Sequence, residues 1–389
     1  MPFHKKSITM EIPLSNLFYG HSHIIKEYCN YPKHEPLPVV VQHGVSHIWH
    51  SIIHEVYHEV LSDYWVNNQY VSDYIQNEYG VGKGQIHILG SPFAYLVKHL
   101  NIDTSFNVDN KGTIAFPDHS IPASVIVGEY EDYAEKLLLL PDEFHPITVS
   151  VHPHDIDLNH QNAFLKRGFS VITCGNASPL QCNFLHNLIH FCKGNKYITS
   201  NKIQTSSYYG MHLGLKFFIY GDEFQFDIKT DKEDHTYSDE YISEHEKIRI
   251  KYNLDTIHTY LNNNSQQEFA NKYLGSKHLM DPESLKSYLL DLLNSRKYIT
   301  QIKPYFKQIN QNHIKLSKAS PPMSPLNPNK KFHKSQLNSI SSEIPSIKEK
   351  VNILDKIKAF VASCLKLIKI NRRRTPSHHR QRGKQDNGE

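Results

Sequence analysis

Short β-branched runs, each followed at once by glycine or a polar residue, recur through residues 38–225. One run, residues 38–42, precedes His43-Gly44, and another, residues 85–89, ends at Gly90. Stretches with apolar residues at helical spacing separate the runs. Because parallel strands need long crossovers, which are usually helices, this alternation predicts an α/β fold with parallel sheets.

The alternation falls into two blocks, and we expect two Rossmann-like domains that face a cleft. The predicted strands are residues 38–42, 64–67, 85–89, 112–117, 147–151, 169–173, 196–199 and 216–220. The predicted helices are residues 48–61, 71–79, 130–140, 183–192 and 205–213, and residues 239–314 are expected to be largely helical. The predicted division is 1–111 for the first domain, 112–317 for the second with its helical end, 318–345 for a linker and 346–389 for a basic helix and tail.

The chain has 389 residues, enough for two domains with sizeable cores. No uninterrupted apolar run reaches membrane-spanning length, and the first 30 residues lack the apolar segment of a secretory signal. The five cysteines form no Cys-x-x-Cys pair, which argues against a disulfide framework and favours a reducing cytoplasm.

Charge divides the chain more sharply than its net value of +4 suggests. Residues 318–389 hold 16 Lys and Arg against 5 Asp and Glu, while the rest of the chain is mildly acidic. Apolar residues recur at steps of three or four from Ile347 to Ile368, with lysines mostly elsewhere. Such a basic amphipathic helix predicts binding of an anionic membrane surface through residues 346–374. The alternative is a helix that docks on the body or on a partner.

Two motifs after predicted strands have the chemistry of an anion site. His152-Pro153 follows residues 147–151, and a histidine there can donate a hydrogen bond to a phosphate oxygen. Ser200-Asn201 follows residues 196–199 and leads to Thr205-Ser206-Ser207 at a predicted helix start. Hydroxyls and unpaired N–H groups at a helix N-terminus bind anions, although an ordinary N-cap is the alternative for this motif.

The order of the motifs resembles bacterial surface-polysaccharide glycosyltransferases of the GT-B fold. The residues that carry the resemblance are His43-Gly44, Gly90-Ser91-Pro92, His119-Ser120, His152-Pro153 and the block from Ser200 to Ser207. The pairing of a His-Pro motif with a serine motif is most similar to sialyltransferases and polysialyltransferases that use CMP-activated sugars.

The resemblance implies a first, acceptor-binding domain and a second domain that binds the nucleotide-sugar donor. In that family group the His-Pro histidine and the serine motif engage the CMP phosphate. By position, the donor-binding residues here are Gly90, Ser91, His152, Pro153, Ser200, Asn201, Thr205, Ser206 and Ser207. The implied activity is transfer of a sugar, plausibly from CMP-sialic acid or a related CMP-sugar, to a lipopolysaccharide or capsule-type glycan or glycolipid.

The catalytic base of the resembling families is usually an acidic residue of the first domain, and its motif is missing here. We therefore assign His43 and His119 as candidate bases beside the catalytic His152, because neutral imidazole can deprotonate a sugar hydroxyl near pH 7. Glu129, Glu131 and Asp155 are further candidates.

The sequence predicts neither a metal nor a cofactor. His154, Asp155 and His160 suggest a metal site only weakly, and the histidines at 50, 54 and 58 are expected to form a solvated helix face. The glycines of residues 80–84 lack the Gly-Lys-Ser/Thr of a phosphate-binding loop.

The leading hypothesis is a glycosyltransferase on the cytoplasmic face of the membrane, with no nucleic-acid partner. The alternatives are a nucleotide-sugar epimerase of the same architecture and a non-catalytic scaffold recruited to the membrane.

Overall fold

The computed structural model describes residues 11, 14–45, 63–120, 124–128, 130–175, 182–228, 247, 250 and 263–295. The chain divides into two units, residues 1–331 and 332–389, and every described residue belongs to the first. The predicted helix 48–61 with its histidines, Glu129, the linker 318–345 and the basic segment 346–374 lie outside the described residues. None of the helices in the described ranges is long and apolar enough to span a bilayer.

The described strands run in chain order from β1 to β10. They are β1 Val40–Val41, β2 Tyr64–Val66, β3 Ile86–Ile88, β4 Thr113–Ala115, β5 Ser124–Ile126, β6 Ile147–Ser150, β7 Ser170–Ile172, β8 Tyr197–Ser200, β9 Lys216–Ile219 and β10 Phe226–Ile228. Each predicted strand is present, β8 displaced by one residue and the others shortened, and the β5–β10 pair was not predicted.

The described helices are numbered in the same way. They are α1 His21–Tyr28, α2 Gln69–Tyr79, α3 Pro92–His99, α4 Tyr130–Leu138, α5 Pro153–Asp157, α6 Gln161–Leu165, α7 Phe184–Cys192, α8 Thr205–His212, α9 Asn263–Leu274 and α10 Pro282–Asn294. A 3-10 segment, Leu14–Gly20, precedes α1.

The strands of the first half form a parallel sheet in the order β1-β2-β3. Val40 lies opposite Tyr64, and Tyr64 lies opposite Ile86. Local sequence signals set the helices that cross over this sheet. The Asn68 side chain accepts a hydrogen bond from Val71 N–H to cap α2, and Ser91 with Pro92 begins α3.

The second sheet is parallel and has the order β7-β6-β4-β8-β9. The chain runs outward from β4 through β6 to β7, then returns to place β8 on the other side of β4. The strand order therefore reverses between β4 and β8, which is the topological switch point of a Rossmann-type sheet. The predicted fold class, α/β with two Rossmann-like sheets in a GT-B-like chain, is confirmed by this strand order and pairing.

One apolar core joins the two sheets. Trp65 of β2 and Phe93 of α3 belong to the same buried cluster as Ile198 of β8 and Phe217 of β9. The Phe93 ring stacks on Tyr209 of α8 with 4.0 Å between ring centroids. A separate apolar cluster that contains Val149 and Leu137 covers the second sheet against α4. The predicted division at 111/112 stays a prediction, although each sheet lies on its own side of it.

The last two helices contact the two sheets, α9 through β9 of the second sheet and α10 through β3 of the first. The Gln266 side chain of α9 donates to Phe217 C=O and accepts from Phe217 N–H at 2.8 and 2.9 Å. From α10, Tyr288 hydrogen-bonds to His87 of β3. The largely helical character predicted for residues 239–314 is confirmed within the described part, where Gly275 (φ +66°) and Pro282 separate two helices.

The predicted ends of several elements are also corrected. The helix predicted for 130–140 ends at Leu138, because the chain tightens into a turn before Pro141, which disfavours helical backbone at the preceding residue. Helix α3, which begins with a Ser91 cap and Pro92 at its first position, is absent from the helices predicted from the sequence.

Candidate functional site

Three strands deliver polar residues to the carboxyl edge of the second sheet. Asp118 and His119 follow β4, His152 follows β6, and Asn201 follows β8. These strands flank the switch point, where open α/β sheets bind their ligands. The predicted residues His119, His152 and Asn201 are thus brought to one edge.

The imidazole rings of His119 and His152 stack on each other. Their centroids are 4.3 Å apart and their planes differ by 13°. Nδ1 of His152 accepts a hydrogen bond from His154 N–H at 3.2 Å, so in the neutral ring the proton is inferred to lie on Nε2. Nδ1 of His119 faces the Ser120 carbonyl at 3.3 Å, which places its proton on Nδ1 and leaves Nε2 as an acceptor.

The pKa of His152 is lowered to about 3. Burial is the largest cause, followed by the neighbouring rings of His119 and His154. The imidazole is therefore neutral at physiological pH, and its Nε2–H can donate to an anion without a proton first being taken up. A bound phosphate would oppose this shift, because a negative charge favours the protonated ring.

Asp118, beside the stacked pair, ties β4 to β8. Its N–H donates to Asn201 Oδ1 at 2.8 Å, and its carboxylate forms an ion pair with Lys202. The other end of the Asn201 amide donates to the Asp222 carbonyl after β9, at 3.2 Å. Asn201 thus bridges three strand ends, and Lys202 places a cation at the same edge.

Asp155 holds the turn that carries His119. It is 1% exposed, and its two carboxylate oxygens lie 3.3 and 3.1 Å from Ser120 N–H. His160 Nδ1 lies 3.2 Å from the same carboxylate. With these partners Asp155 acts as a positioning group for residues 118–120. The other described acidic candidate, Glu131, forms an ion pair with Arg167 and is half-exposed.

The serine motif begins helix α8, as predicted, and most of its hydroxyls bond within the protein. Ser207 Oγ accepts from Gln204 N–H at 3.2 Å, and Ser200 Oγ accepts from the Gln204 side chain at 2.7 Å. Ser206 Oγ is buried and has no hydrogen-bond partner among the described residues. Ser206 is therefore the hydroxyl of this motif best suited to a ligand.

Thr205 connects the two carboxyl edges. Its hydroxyl donates to Val45 C=O at 3.1 Å and lies 3.3 Å from Val45 N–H. Val45 follows His43-Gly44 at the end of β1, so this contact brings the predicted donor motif against the edge of the first sheet. Gly44 allows the approach, because a Cβ there would lie 3.1 Å from Thr205 Oγ1.

His43 is half-buried and packed by aromatic rings. Phe18 and Tyr19 lie 5.3 and 5.1 Å from it between centroids. Beside it, Gln42 donates to Gly44 C=O and accepts from Asn67 N–H. His43 thus lies just past the carboxyl end of β1, two residues before the Val45 that contacts Thr205.

Gly90 and Ser91 have packing and capping partners. Gly90 C=O accepts from the Trp65 indole N–H, and Ser91 Oγ accepts from Ala94 N–H at 3.2 Å. Gly90 has φ +78°, and a Cβ there would lie 2.9 Å from the Gly275 carbonyl. Donor binding by these two residues stays a prediction, as it does for Pro153, the first residue of α5.

Within the described ranges, no group of three His, Cys, Asp or Glu side chains could hold a metal ion. One participant, Lys202, was not singled out from the sequence, and another, His21, was predicted with His23 to belong to a solvated histidine-rich patch but is 2% exposed. Lys202 directly follows Asn201, so a basic residue just past a strand end was the available signal. His21 lies outside any strand-end pattern, and nothing in its local sequence distinguishes it from His23.

Comparisons with known proteins yield only weak structural likeness. No family model matches the chain, and no curated protein does. One similar solved structure is S. aureus MnaA with UDP, which is 11% identical over 62% of this chain and 61% of that chain, with a TM-score of 0.33. Another is the UDP-GlcNAc 2-epimerase of Methanocaldococcus jannaschii with UDP-GlcNAc and UDP, 11% identical over 61% of this chain and 62% of that chain, with a TM-score of 0.33. A third is an S. aureus TarM variant with Fondaparinux, alpha-GlcNAc-glycerol and UDP, 14% identical over 68% of this chain and 52% of that chain, with a TM-score of 0.31. The chain spans about three fifths of the first two and about half of the third. The fold assignment rests on the strand order.

Proposed function

We propose that this protein is a glycosyltransferase that moves a sugar from a nucleotide-activated donor to a glycan acceptor. The observation that carries the proposal is the stacked pair of His119 and His152 beside the switch point of the second sheet. Together with the start of α8, this pair offers hydrogen-bond donors and the positive end of a helix dipole at the edge where such sheets bind nucleotides.

The donor phosphate is assigned to His152, Lys202 and Ser206. The Nε2–H of His152 is assigned as a hydrogen-bond donor to the phosphate, because Nδ1 caps α5 and the neutral ring carries its proton on Nε2. Ser206 has a buried hydroxyl without a partner among described residues, at the first turn of a helix whose N-terminus attracts anions. These groups would stabilise the negative charge that grows on the phosphate as the bond to the sugar breaks.

His43 is assigned as the base that removes the proton from the acceptor hydroxyl. In a displacement with inversion, the base lies across the sugar from the leaving group. His119 stacks directly on His152 and so lies on the leaving-group side, whereas His43 extends from the opposite sheet. His119 then orients His152 and the donor phosphate.

The finer identity of the substrates rests on the motif order. The pairing of His152-Pro153 with Thr205-Ser206-Ser207 supports CMP-sialic acid or a related CMP-sugar as donor. The basic segment 346–374 supports an acceptor at the cytoplasmic face of the membrane, a lipopolysaccharide or capsule-type glycan.

A thermal-shift screen of the full chain with CMP, CDP, UDP and GDP tests the donor site. We expect CMP to raise the melting temperature by several degrees, through preferential binding to the folded state. The His152→Asn variant should lose most of this shift, since asparagine still caps α5 but lacks the Nε2–H donor. Stabilisation by UDP alone would favour an epimerase or a UDP-sugar transferase.

A transfer assay with the nucleotide sugar identified by the screen then tests the reaction. We expect His43→Gln to abolish transfer while the nucleotide still stabilises the protein. If His43→Gln and His152→Asn both leave nucleotide binding and transfer unchanged, the assignment of the site to these residues is wrong. If the wild type neither binds a nucleotide nor transfers a sugar, the scaffold hypothesis gains support.

A further inference from the structure

The start of helix α1 contains buried polar atoms that the described protein leaves without partners. His21 is 2% exposed, and neither of its ring nitrogens has a hydrogen-bond partner among the described residues. Ser22 is fully buried, and its Oγ also has no hydrogen-bond partner among the described residues. An imidazole carries at least one N–H, so a buried donor is unsatisfied here, at a cost of about 1–3 kcal/mol. Such a cost points to a ligand that satisfies the donor.

The backbone at the same place is suited to an anion. Gly20 is the N-cap of α1, with φ +80°, and offers no side-chain oxygen to the first-turn N–H groups. Those N–H groups have no intrahelical acceptor and form the positive end of the helix dipole. Gly20 is left-handed and His21 helical, an arrangement that turns successive N–H groups toward one side. A side chain at Gly20 would overlap the Cys182 carbonyl, so the chain passes closely here.

The surroundings of His21 are aromatic. The Tyr19 ring lies 5.5 Å from His21, 5.1 Å from His43 and 4.9 Å from Phe184 between centroids. The pKa of His21 is lowered to about 3, first by burial and then by the neighbouring His43. A negative ligand would raise the pKa of His21 again, because its charge stabilises the protonated ring against both burial and the neighbouring His43.

We infer that the N-terminus of α1, through His21, Ser22 and its first-turn N–H groups, binds an anionic oxygen group, a phosphate or a carboxylate, carried by the acceptor. The inference rests on the proposed function for the identity of the acceptor, but anion binding itself does not depend on it. The group would anchor an acidic sugar beside His43, the base assigned above. This anchor is distinct from the donor motifs of the second sheet.

Calorimetric titration of the full chain with simple anions tests the inference. The probes are inorganic phosphate, glucose 6-phosphate, glucuronate and, as the neutral match, glucose. We expect phosphate and at least one acidic sugar to bind, and glucose not to bind. Binding of glucose 6-phosphate but not glucuronate assigns a phosphate group, and the reverse assigns a carboxylate. Absence of binding by every anion would overturn the inference and leave a buried water as the partner of His21.

The His21→Phe variant separates anion binding from folding. It removes the partnerless nitrogens, so we expect it to melt at the same temperature as the wild type or higher, while the anion binds at least tenfold more weakly. The matched control is His212→Phe, because His212 is also buried but hydrogen-bonds to Asn271 through Nδ1. That control should melt lower and keep wild-type anion affinity. Should His21→Phe fail to fold, Ser22→Ala gives the same comparison, with an expected weakening of about threefold.

A CMP titration of the same samples distinguishes this inference from the proposed function. If CMP binds wild type and His21→Phe equally while the variant loses the anion, both proposals stand. If none of CMP, CDP, UDP and GDP binds but the anion is lost in the variant, the proposed function fails and the anion site remains. If His21→Phe weakens CMP and the anion by the same factor, α1 belongs to the donor site and the acceptor assignment is overturned.

Discussion

The carboxyl edges of the two sheets differ in how their polar groups are satisfied. At the second edge, Asp118 bonds with Asn201 and Lys202, and Asp155 bonds with the turn that carries His119. Beside the first edge, the buried nitrogens of His21, the hydroxyl of Ser22 and the Asn67 Oδ1 have no partner within the described part of the chain. The second edge is thus largely completed by its own residues, with the Ser206 hydroxyl as an exception, whereas several buried groups beside the first edge await a partner.

This difference has opposite consequences for stability and binding. A satisfied network holds its dipoles fixed in the absence of ligand, which is what stabilisation of a leaving phosphate requires. Unsatisfied buried groups lower the stability of the empty protein, and that free energy is recovered when a ligand supplies the missing bonds. We therefore expect substitutions at the second edge to destabilise the fold, and substitutions beside the first edge to weaken binding more than folding.

The largest effect is expected from Asp155→Ala at the second edge. The substitution leaves Ser120 N–H and the His160 ring without their buried acceptor, which costs about 3 kcal/mol in the free energy of unfolding. Release of the 118–120 turn displaces His119, and a displacement of about 1 Å can lower the rate of transfer about 100-fold. Urea unfolding and the transfer assay measure the two effects.

The control for this prediction is Asp157→Ala on the same short helix. Asp157 is exposed, so its removal should change the free energy of unfolding by less than about 0.5 kcal/mol. Equal stability of Asp155→Ala and Asp157→Ala would show that the second edge is not held by its own network, and the contrast between the edges would disappear.

The next effect concerns His152, where the second edge meets the ligand. His152→Asn keeps a capping acceptor for α5 but removes the Nε2–H donor, so nucleotide affinity should fall about 10- to 100-fold while unfolding changes little. Calorimetric titration measures the affinity, with the exposed His190→Asn of α7 as control. A large loss of stability with unchanged affinity would instead make His152 a purely structural residue.

The two edges should share one acid-sensitive property. His21 and His152 each have a pKa of about 3 in the folded protein, against 6.5 in an unfolded chain. Between pH 3 and pH 6.5 only the unfolded state binds the proton. The stability that each neutral histidine contributes is therefore fully present above pH 6.5 and is lost as the pH falls towards 3. From pH 7 to pH 5 each histidine should lower the free energy of unfolding by about 2 kcal/mol.

Urea unfolding at pH 7 and pH 5 checks this prediction with the variants already described. His21→Phe and His152→Asn should each remove about 2 kcal/mol of the acid loss, and the double variant both contributions, because the rings have separate surroundings. If His21→Phe is as acid-sensitive as the wild type, then His21 is already partnered in solution and the first edge is not incomplete.

Much of the second edge could be predicted from the sequence. β4, β6 and β8 are short β-branched runs with polar residues behind them, so His119, His152 and Asn201 were expected at one edge. Parallel pairing makes such residues converge whatever their distance in the chain. The helix start at Thr205 was likewise visible, since hydroxyl residues there are typical of an N-terminus.

The first edge could be predicted only in part, because its key contacts are not local. α1 precedes its sheet, and the packing of Tyr19 against His43 and Phe184 depends on tertiary approach that no periodicity encodes. His21 looks like any polar residue at a helix start until its burial is known. Helix α3 was not predicted, since a glycine before Ser-Pro resembles the end of a strand as much as the start of a helix.

The smallest effect is expected where the two edges meet, at Thr205. Thr205→Val keeps the shape of the side chain but removes the hydroxyl that bonds to both polar backbone groups of Val45. The loss should be about 1 kcal/mol in the free energy of unfolding, while Thr205→Ser, which keeps the hydroxyl, should lose less. If the contact aligns His43 with the donor site, Thr205→Val should lower the rate of transfer severalfold without weakening nucleotide binding. A fall in nucleotide affinity instead would place Thr205 within the donor site, so that this residue belongs to the second edge alone.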